Sequence, residues 1–119
     1  MNKGRKITGG KYHAERKSKL YEKVSQNRIV VLGDTKRKQV NARSRIEKTV
    51  MLKSNEANII VDGKAKKAKI TNVEETPQNK FFARSNILLK GAIIQTSLGK
   101  AKITNRPSQE GMINAVLVK

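Results

Sequence analysis

The sequence predicts a mainly β protein: a small closed or partly open antiparallel β-barrel with one short helix and a disordered basic N-terminal arm. Three observations carry this. Short β-branched runs recur with period-two alternation from Ile29 to the end, separated by turn residues at close spacing. One Thr-Pro step, Thr76-Pro77, is the only helix-start signal that stands out. The first 28 residues carry nine lysines and arginines against two glutamates, with too few apolar residues to cover a core.

The last third, Gly91 to Lys119, is the clearest stretch. Ile93, Gln95 and Ser97 alternate with Ile94, Thr96 and Leu98, and a tip at Ser97-Leu98-Gly99-Lys100 turns the chain into Ala101-Lys102-Ile103-Thr104. Pro107 and Gly111 mark the loop that follows, and Met112 to Val118 resumes as an apolar strand, so three adjacent antiparallel strands are expected. The words Gly63-Lys64-Ala65-Lys66 and Ala68-Lys69-Ile70-Thr71-Asn72 are repeated at Gly99-Lys100-Ala101-Lys102 and Ala101-Lys102-Ile103-Thr104-Asn105.

Earlier elements read in the same way. Residues 1–28 form the arm and residues 29–119 the barrel domain, which opens at Ile29-Val30-Val31-Leu32 and turns at Gly33-Asp34. Lys36 to Arg45 and Ile46 to Leu52 are each expected to be strands. Asn58 to Val61 and Ala65 to Val73 follow, joined by Asp62-Gly63, a strong two-residue hairpin signal. Thr76 is expected to cap a two-turn helix from Pro77 to Ser85. Phe81 and Phe82 within it are expected to pack in the core rather than stack on bases, because stacking proteins place several aromatics on one sheet face.

The whole chain has 119 residues and a formal charge of +18, from 27 basic and 9 acidic side chains. Charge of that size opposes compaction and draws polyanions to the surface. With no apolar run of membrane-spanning length, no apolar N-terminal segment and no cysteine, the sequence predicts a soluble, cytoplasmic protein without membrane contact, disulfides or thiolate chemistry. No enzyme is visible. His13 lies among basic residues with no second metal ligand near it, Glu74-Glu75 has no accompanying nucleophile, and neither Gly-Lys pair completes a phosphate-binding loop. No cofactor, metal or small-molecule substrate is expected.

What remains is a surface for the nucleic-acid backbone. In the arm, Arg5, Lys6, Lys11, Arg16, Lys17 and Lys19 neutralise phosphate, while Gly9 and Gly10 allow close approach. The domain adds Lys36, Arg37, Lys38, Arg43 and Arg45, and then Lys100, Lys102 and Arg106 beside the Pro107 loop. A solvated tail or localisation signal is the bland reading of the arm, and a solubilising charge that of any single lysine. A stand-alone small barrel that coats single strands or compacts DNA is the alternative reading. Four aromatic residues in the chain are few for strand coating, which draws on base stacking.

Two stretches resemble the small-subunit ribosomal protein "eight-e" family of archaea and eukaryotes. Arg5-Lys6-Ile7-Thr8-Gly9-Gly10 with Arg16-Lys17-Ser18-Lys19-Leu20-Tyr21-Glu22 is similar to its N-terminal signature. Gly91-Ala92-Ile93-Ile94, Leu98-Gly99-Lys100-Ala101, Arg106-Pro107 and Asn114-Ala115-Val116-Leu117 are similar to its C-terminal stretch. The chain lacks the long insertion of eukaryotic members and resembles the short archaeal form. The resemblance implies a small barrel whose arm threads into small-subunit ribosomal RNA, with neighbouring ribosomal proteins as further partners. It adds Thr8 to the RNA-facing set of Arg5, Lys6, Gly9, Gly10, Arg16, Lys17 and Lys19. Where the family has a Gly-Gly-Asn turn this chain has Gly33-Asp34-Thr35, so contact passes to Lys36, Arg37 and Arg43.

Removing residues 1–22 is expected to weaken RNA binding strongly while the remaining domain keeps a cooperative thermal melt, because the arm adds little to the core. A truncated chain without a melting transition would contradict this.

Overall fold

Alanine and isoleucine two residues apart, on the same side of a strand, supply most of the core. The computed structural model describes residues 4–13, 15–24 and 27–118. Its strands are β1 (Val31–Leu32), β2 (Lys36–Asn41), β3 (Glu47–Ser54), β4 (Glu56–Val61), β5 (Lys64–Glu75), β6 (Ile93–Thr96), β7 (Gly99–Ile103) and β8 (Asn114–Leu117). One helix, α1 (Lys80–Arg84), lies between β5 and β6, and Arg43–Arg45 form a 3-10 turn. Strands β4 to β8 close into a barrel, while β1, β3 and β2 make a separate three-stranded sheet in that order. No described helix is long and apolar enough to cross a membrane.

The barrel is a meander of antiparallel neighbours, β4 to β5, β5 to β6, β6 to β7 and β7 to β8. Five strands that reverse at each step leave the first and last pointing the same way. The closing pair is therefore parallel, with Asn58, Ile59 and Ile60 opposite Asn114, Ala115 and Val116. Closure removes the two sheet edges that an open meander would expose. The Asp62-Gly63 hairpin forms as expected, with Val61 opposite Lys64 and φ values of 49° and 75° at the two turn residues, the left-handed pair such a turn demands. Ser97 and Leu98 make the second two-residue turn between Thr96 and Gly99.

Five strands enclose a narrow interior, and the residue pairs fit it. Ala57 and Ile59, Ala68 and Ile70, Ala92 and Ile94, Ala101 and Ile103, and Ile113 and Ala115 are all buried. At three positions the register sets a large side chain against a small one: Ile94 faces Ala101, while Ile103 and Ile59 both face Ala115. Alternating sizes fill a small barrel without voids. Val30, Met51, Val73 and Leu88 complete the core cluster. Of the repeated words, Gly-Lys-Ala-Lys differs between its copies, with Ala65 exposed and Ala101 buried, but Ala-Lys-Ile-Thr-Asn keeps one structural meaning. In both copies Ala and Ile point inward (Ala68 and Ile70, Ala101 and Ile103), and the lysines between and before them, Lys67, Lys69, Lys100 and Lys102, stay exposed.

The second sheet is tied to the barrel through the 105–113 loop. Met51 N–H donates to the Pro107 carbonyl at 3.1 Å, and a Cβ at Gly111 would lie 2.8 Å from Thr49 Cγ2. Only a glycine lets the loop approach β3 that closely. Asn105 fixes the loop from inside: its Nδ2 donates to the Met112 carbonyl at 2.8 Å and its Oδ1 accepts from Asn114 N–H at 2.9 Å.

Three expectations are corrected. The strand foreseen from Lys36 to Arg45 ends at Asn41, because Ser44 and Arg45 adopt left-handed φ of 61° and 57° and turn the chain back, with Ala42 N–H bonded to the Ile46 carbonyl. The helix is shorter than expected and capped by Asn79, not Thr76: the Asn79 side chain accepts from Phe81 N–H at 3.0 Å. It stops at Asn86, left-handed at φ 50°, whose Oδ1 accepts from Val73 N–H. Neither phenylalanine enters the core. The late start turns Ala83 toward the barrel, Phe82 is left half-buried, and Phe81 is 70% exposed.

Placing a second large side chain opposite Ile94, as in Ala101→Ile, is expected to cost about 1–3 kcal/mol by overpacking. Combining it with Ile94→Ala should recover part of that loss in a denaturant titration, because the pair's volume is restored.

Candidate nucleic-acid interface

Every residue predicted to face RNA is exposed: the arm set from Arg5 to Lys19, then Lys36, Arg37, Lys38, Arg43 and Arg45, and finally Lys100, Lys102 and Arg106. They are held in three different ways. In the arm, local hydrogen bonds shape a loop without any core. Arg5 and Lys11 pair as an antiparallel bridge, Lys6 N–H donates to the Gly10 carbonyl at 2.9 Å, and Gly9 N–H donates to the Lys6 carbonyl at 2.9 Å. Gly9 sits at φ 80°, where a side chain would be strained. Thr8 and Lys6 are thereby carried at a tight turn, and the Lys6 ammonium lies 5.6 Å from the Tyr12 ring centre.

Further along, Arg16 grips Glu22 with both guanidinium nitrogens, at 3.1 and 2.8 Å, and Lys19 N–H donates to the same carboxylate at 3.0 Å. The Arg16 hydrogen bond, then that of the Lys19 backbone, holds the Glu22 carboxyl below its ordinary range. The sign follows from linkage: this contribution is present above the ordinary carboxylate pKa and is lost as pH falls through the lowered one. Arg16 thus orders one turn of the arm, while Lys17 and Lys19 are left on its surface.

The second group is held by the three-stranded sheet. Lys36 lies opposite Lys53 and Arg37 opposite Met51, with a bulge between them. Lys38, opposite Val50, lies on the other face from Arg37. Arg43 and Arg45 flank the left-handed Ser44 at the hairpin tip. A cleft of about 370 Å³ separates this sheet from the barrel, and Arg37 lines it together with Lys67, Glu56 and Asn58. Residues far apart in sequence, Arg37 on β2 and Lys67 on β5, meet there.

The third group lies outside the barrel. Lys102 is exposed across from Val116, and Arg106 heads the loop locked onto β3. Lys100 is the exception, because its ammonium forms a 2.9 Å ion pair with Glu74. The Glu74 hydrogen bond, and then its charge, raises the Lys100 pKa. That contribution is complete below the ordinary lysine pKa and fades as pH rises through the raised one. Among the described residues no group of three or more histidine, cysteine or carboxylate side chains could hold a metal.

With this geometry in place, comparison with known proteins decides the family. The model of the family described as Ribosomal protein S8e matches residues 1–118. The chain belongs to that family. It is similar to the small ribosomal subunit protein eS8 of Methanocella arvoryzae, 44% identical over 116 residues that cover 96% of this chain and 93% of the relative. The proteins of the same name from Methanocorpusculum labreanum and Haloarcula marismortui are 41% and 39% identical, each over 97% of this chain and 94% of the relative. These relatives are named as proteins of the small ribosomal subunit.

Sequence reading missed part of the basic surface of this S8e chain. Lys64, Lys66, Lys67 and Lys69 on β5 are all exposed, and Lys53 stands beside Lys36. The signal for three of them was present. Lys64 and Lys66 stand in the first Gly-Lys-Ala-Lys where Lys100 and Lys102 stand in the second, and Lys69 stands in the first Ala-Lys-Ile-Thr-Asn where Lys102 stands in the second.

The Glu22 carboxyl is expected to titrate below its ordinary value of 4.5 by carbon NMR. Arg16→Gln should return it toward that value, and an unchanged titration would remove the ion pair from the arm's structure.

Proposed function

We propose that this protein is a structural constituent of the small ribosomal subunit that binds ribosomal RNA through its basic arm, residues 1–28, and the basic faces of its barrel domain, residues 29–119. Ribosome-associated in the cytoplasm, it has ribosomal RNA and neighbouring ribosomal proteins as partners, and no membrane or small-molecule substrate. Family membership supports the ribosomal role. The observation that carries RNA contact is the division of labour along the strands, apolar residues inward and lysines outward, with arginines at the hairpin tip and in the arm.

The contacts divide by chemistry. Arg37, Arg43, Arg45 and Arg106 present planar forks that match two phosphate oxygens, and Arg5 does the same from the arm. Lys6, Lys11, Lys17, Lys19, Lys36, Lys38 and Lys102 act as point charges along the backbone. Thr8, Gly9 and Gly10 bring the arm's main chain against phosphate. Lys100 contributes least while Glu74 holds it. Such contacts fix position and orientation but read no sequence. Each phosphate neutralised releases counterions, so binding falls steeply with salt.

Arg37→Ala combined with Arg43→Ala is expected to lower affinity for small-subunit ribosomal RNA and to flatten the slope of log affinity against log salt by about 1–2. An unchanged slope would take both side chains out of the interface.

A further inference from the structure

Where the arm joins the barrel, a groove of about 530 Å³ differs in character from the rest of the surface. Ile29, Ile87 and Leu89 give it an apolar floor, and the half-buried Phe82 ring forms a wall. Its rim is polar. Arg28 reaches over from the chain's entry to the domain, its Nη1 3.5 Å from the Ser108 carbonyl, and Gln78 and Gln109 complete the border. Gln78 Nε2 donates to the Lys90 carbonyl at 2.6 Å, which fixes the amide and leaves Oε1 as an acceptor.

We infer that this groove takes one unpaired nucleotide of the RNA, with its base stacked on Phe82, its edge read by the amides of Gln78 and Gln109, and its backbone held by Arg28. The inference rests on the RNA-binding reading above and adds base recognition to it. Unpaired bases are recognised by this combination of an aromatic or guanidinium plane with hydrogen-bonding groups at the base edge. No carboxylate lines the groove, so the Arg28 charge, which meets only the Ser108 carbonyl there, is open to a phosphate. An apolar side chain from a protein would fill the floor but offer nothing to Gln78 Oε1, the Gln109 amide or the rest of the Arg28 guanidinium, whereas a nucleotide brings both a hydrogen-bonding base edge and a phosphate. Position agrees as well: residues 27–29, at the chain's entry to the domain, line this groove.

The test uses the full chain and small-subunit ribosomal RNA transcribed in vitro. Phe82→Leu is expected to lower affinity about tenfold, within the range one stacked base contributes, and Gln109→Ala by about three- to tenfold, the range of one lost hydrogen bond, with the salt slope and melting temperature kept in both. A photoreactive phenylalanine analogue at position 82 should cross-link to one unpaired nucleotide in assembled small subunits. Unchanged affinity in both variants, or a cross-link to protein or to paired RNA, would overturn the site while leaving backbone binding intact. Absence of any salt-dependent binding by the unaltered chain would overturn the RNA reading itself, and the groove's role with it.

Discussion

A barrel of five strands has so little interior that its side chains must be matched pair by pair. Ile94 fits because Ala101 faces it, and Ile59 and Ile103 fit because Ala115 faces both. The same constraint pushes everything long or charged outward, so the lysines of β5 and β7 are exposed where the alternation leaves no room inside. Core packing and surface charge are thus two consequences of one period-two pattern. The parallel closure between β4 and β8 follows from the odd strand number and removes the edges that would otherwise pair with other chains.

Charge is the opposing pressure. A formal +18 on 119 residues repels itself, and two of the nine acidic side chains offset it locally by ion pairs. Glu22 fastens Arg16 and one turn of the arm, and Glu74 fastens Lys100 across the barrel wall. Neither pair is buried, so each orders a side chain more than it stabilises the fold. In the proposed function the remaining positive charge has its counterion in RNA. Self-repulsion that opposes folding of the free chain becomes attraction once the polyanion is bound.

The closely packed 105–113 loop sets how the two sheets meet. Gly111 against Thr49 and the Pro107 carbonyl on Met51 draw this loop onto β3, and Ser108 in the same loop receives Arg28 at the mouth of the groove. One loop therefore links the second sheet, the barrel and the chain's path out of the arm. The sheet that carries Arg37 and the groove at Arg28 thereby share one frame.

Strand identities and both tight hairpins were legible in the sequence, because period-two alternation and residues such as Asp62-Gly63 act locally, within a few bonds of the backbone they shape. The exposure of Lys102 was legible for the same reason, since a lysine between two inward residues, Ala101 and Ile103, has only the outside to occupy, while the equally exposed lysines of β5 were missed. The cap at Asn79, the exposure of Phe81 and the end of β2 at Asn41 were decided by tertiary packing, where small rotations determine which side chain the barrel accepts. The three-stranded sheet beside the barrel, the meeting of Arg37 with Lys67 in one cleft, and the groove built from Arg28, Phe82 and Gln109 join residues tens of positions apart. Local propensity carries no information about such encounters; closure of the barrel and docking of the 105–113 loop create them.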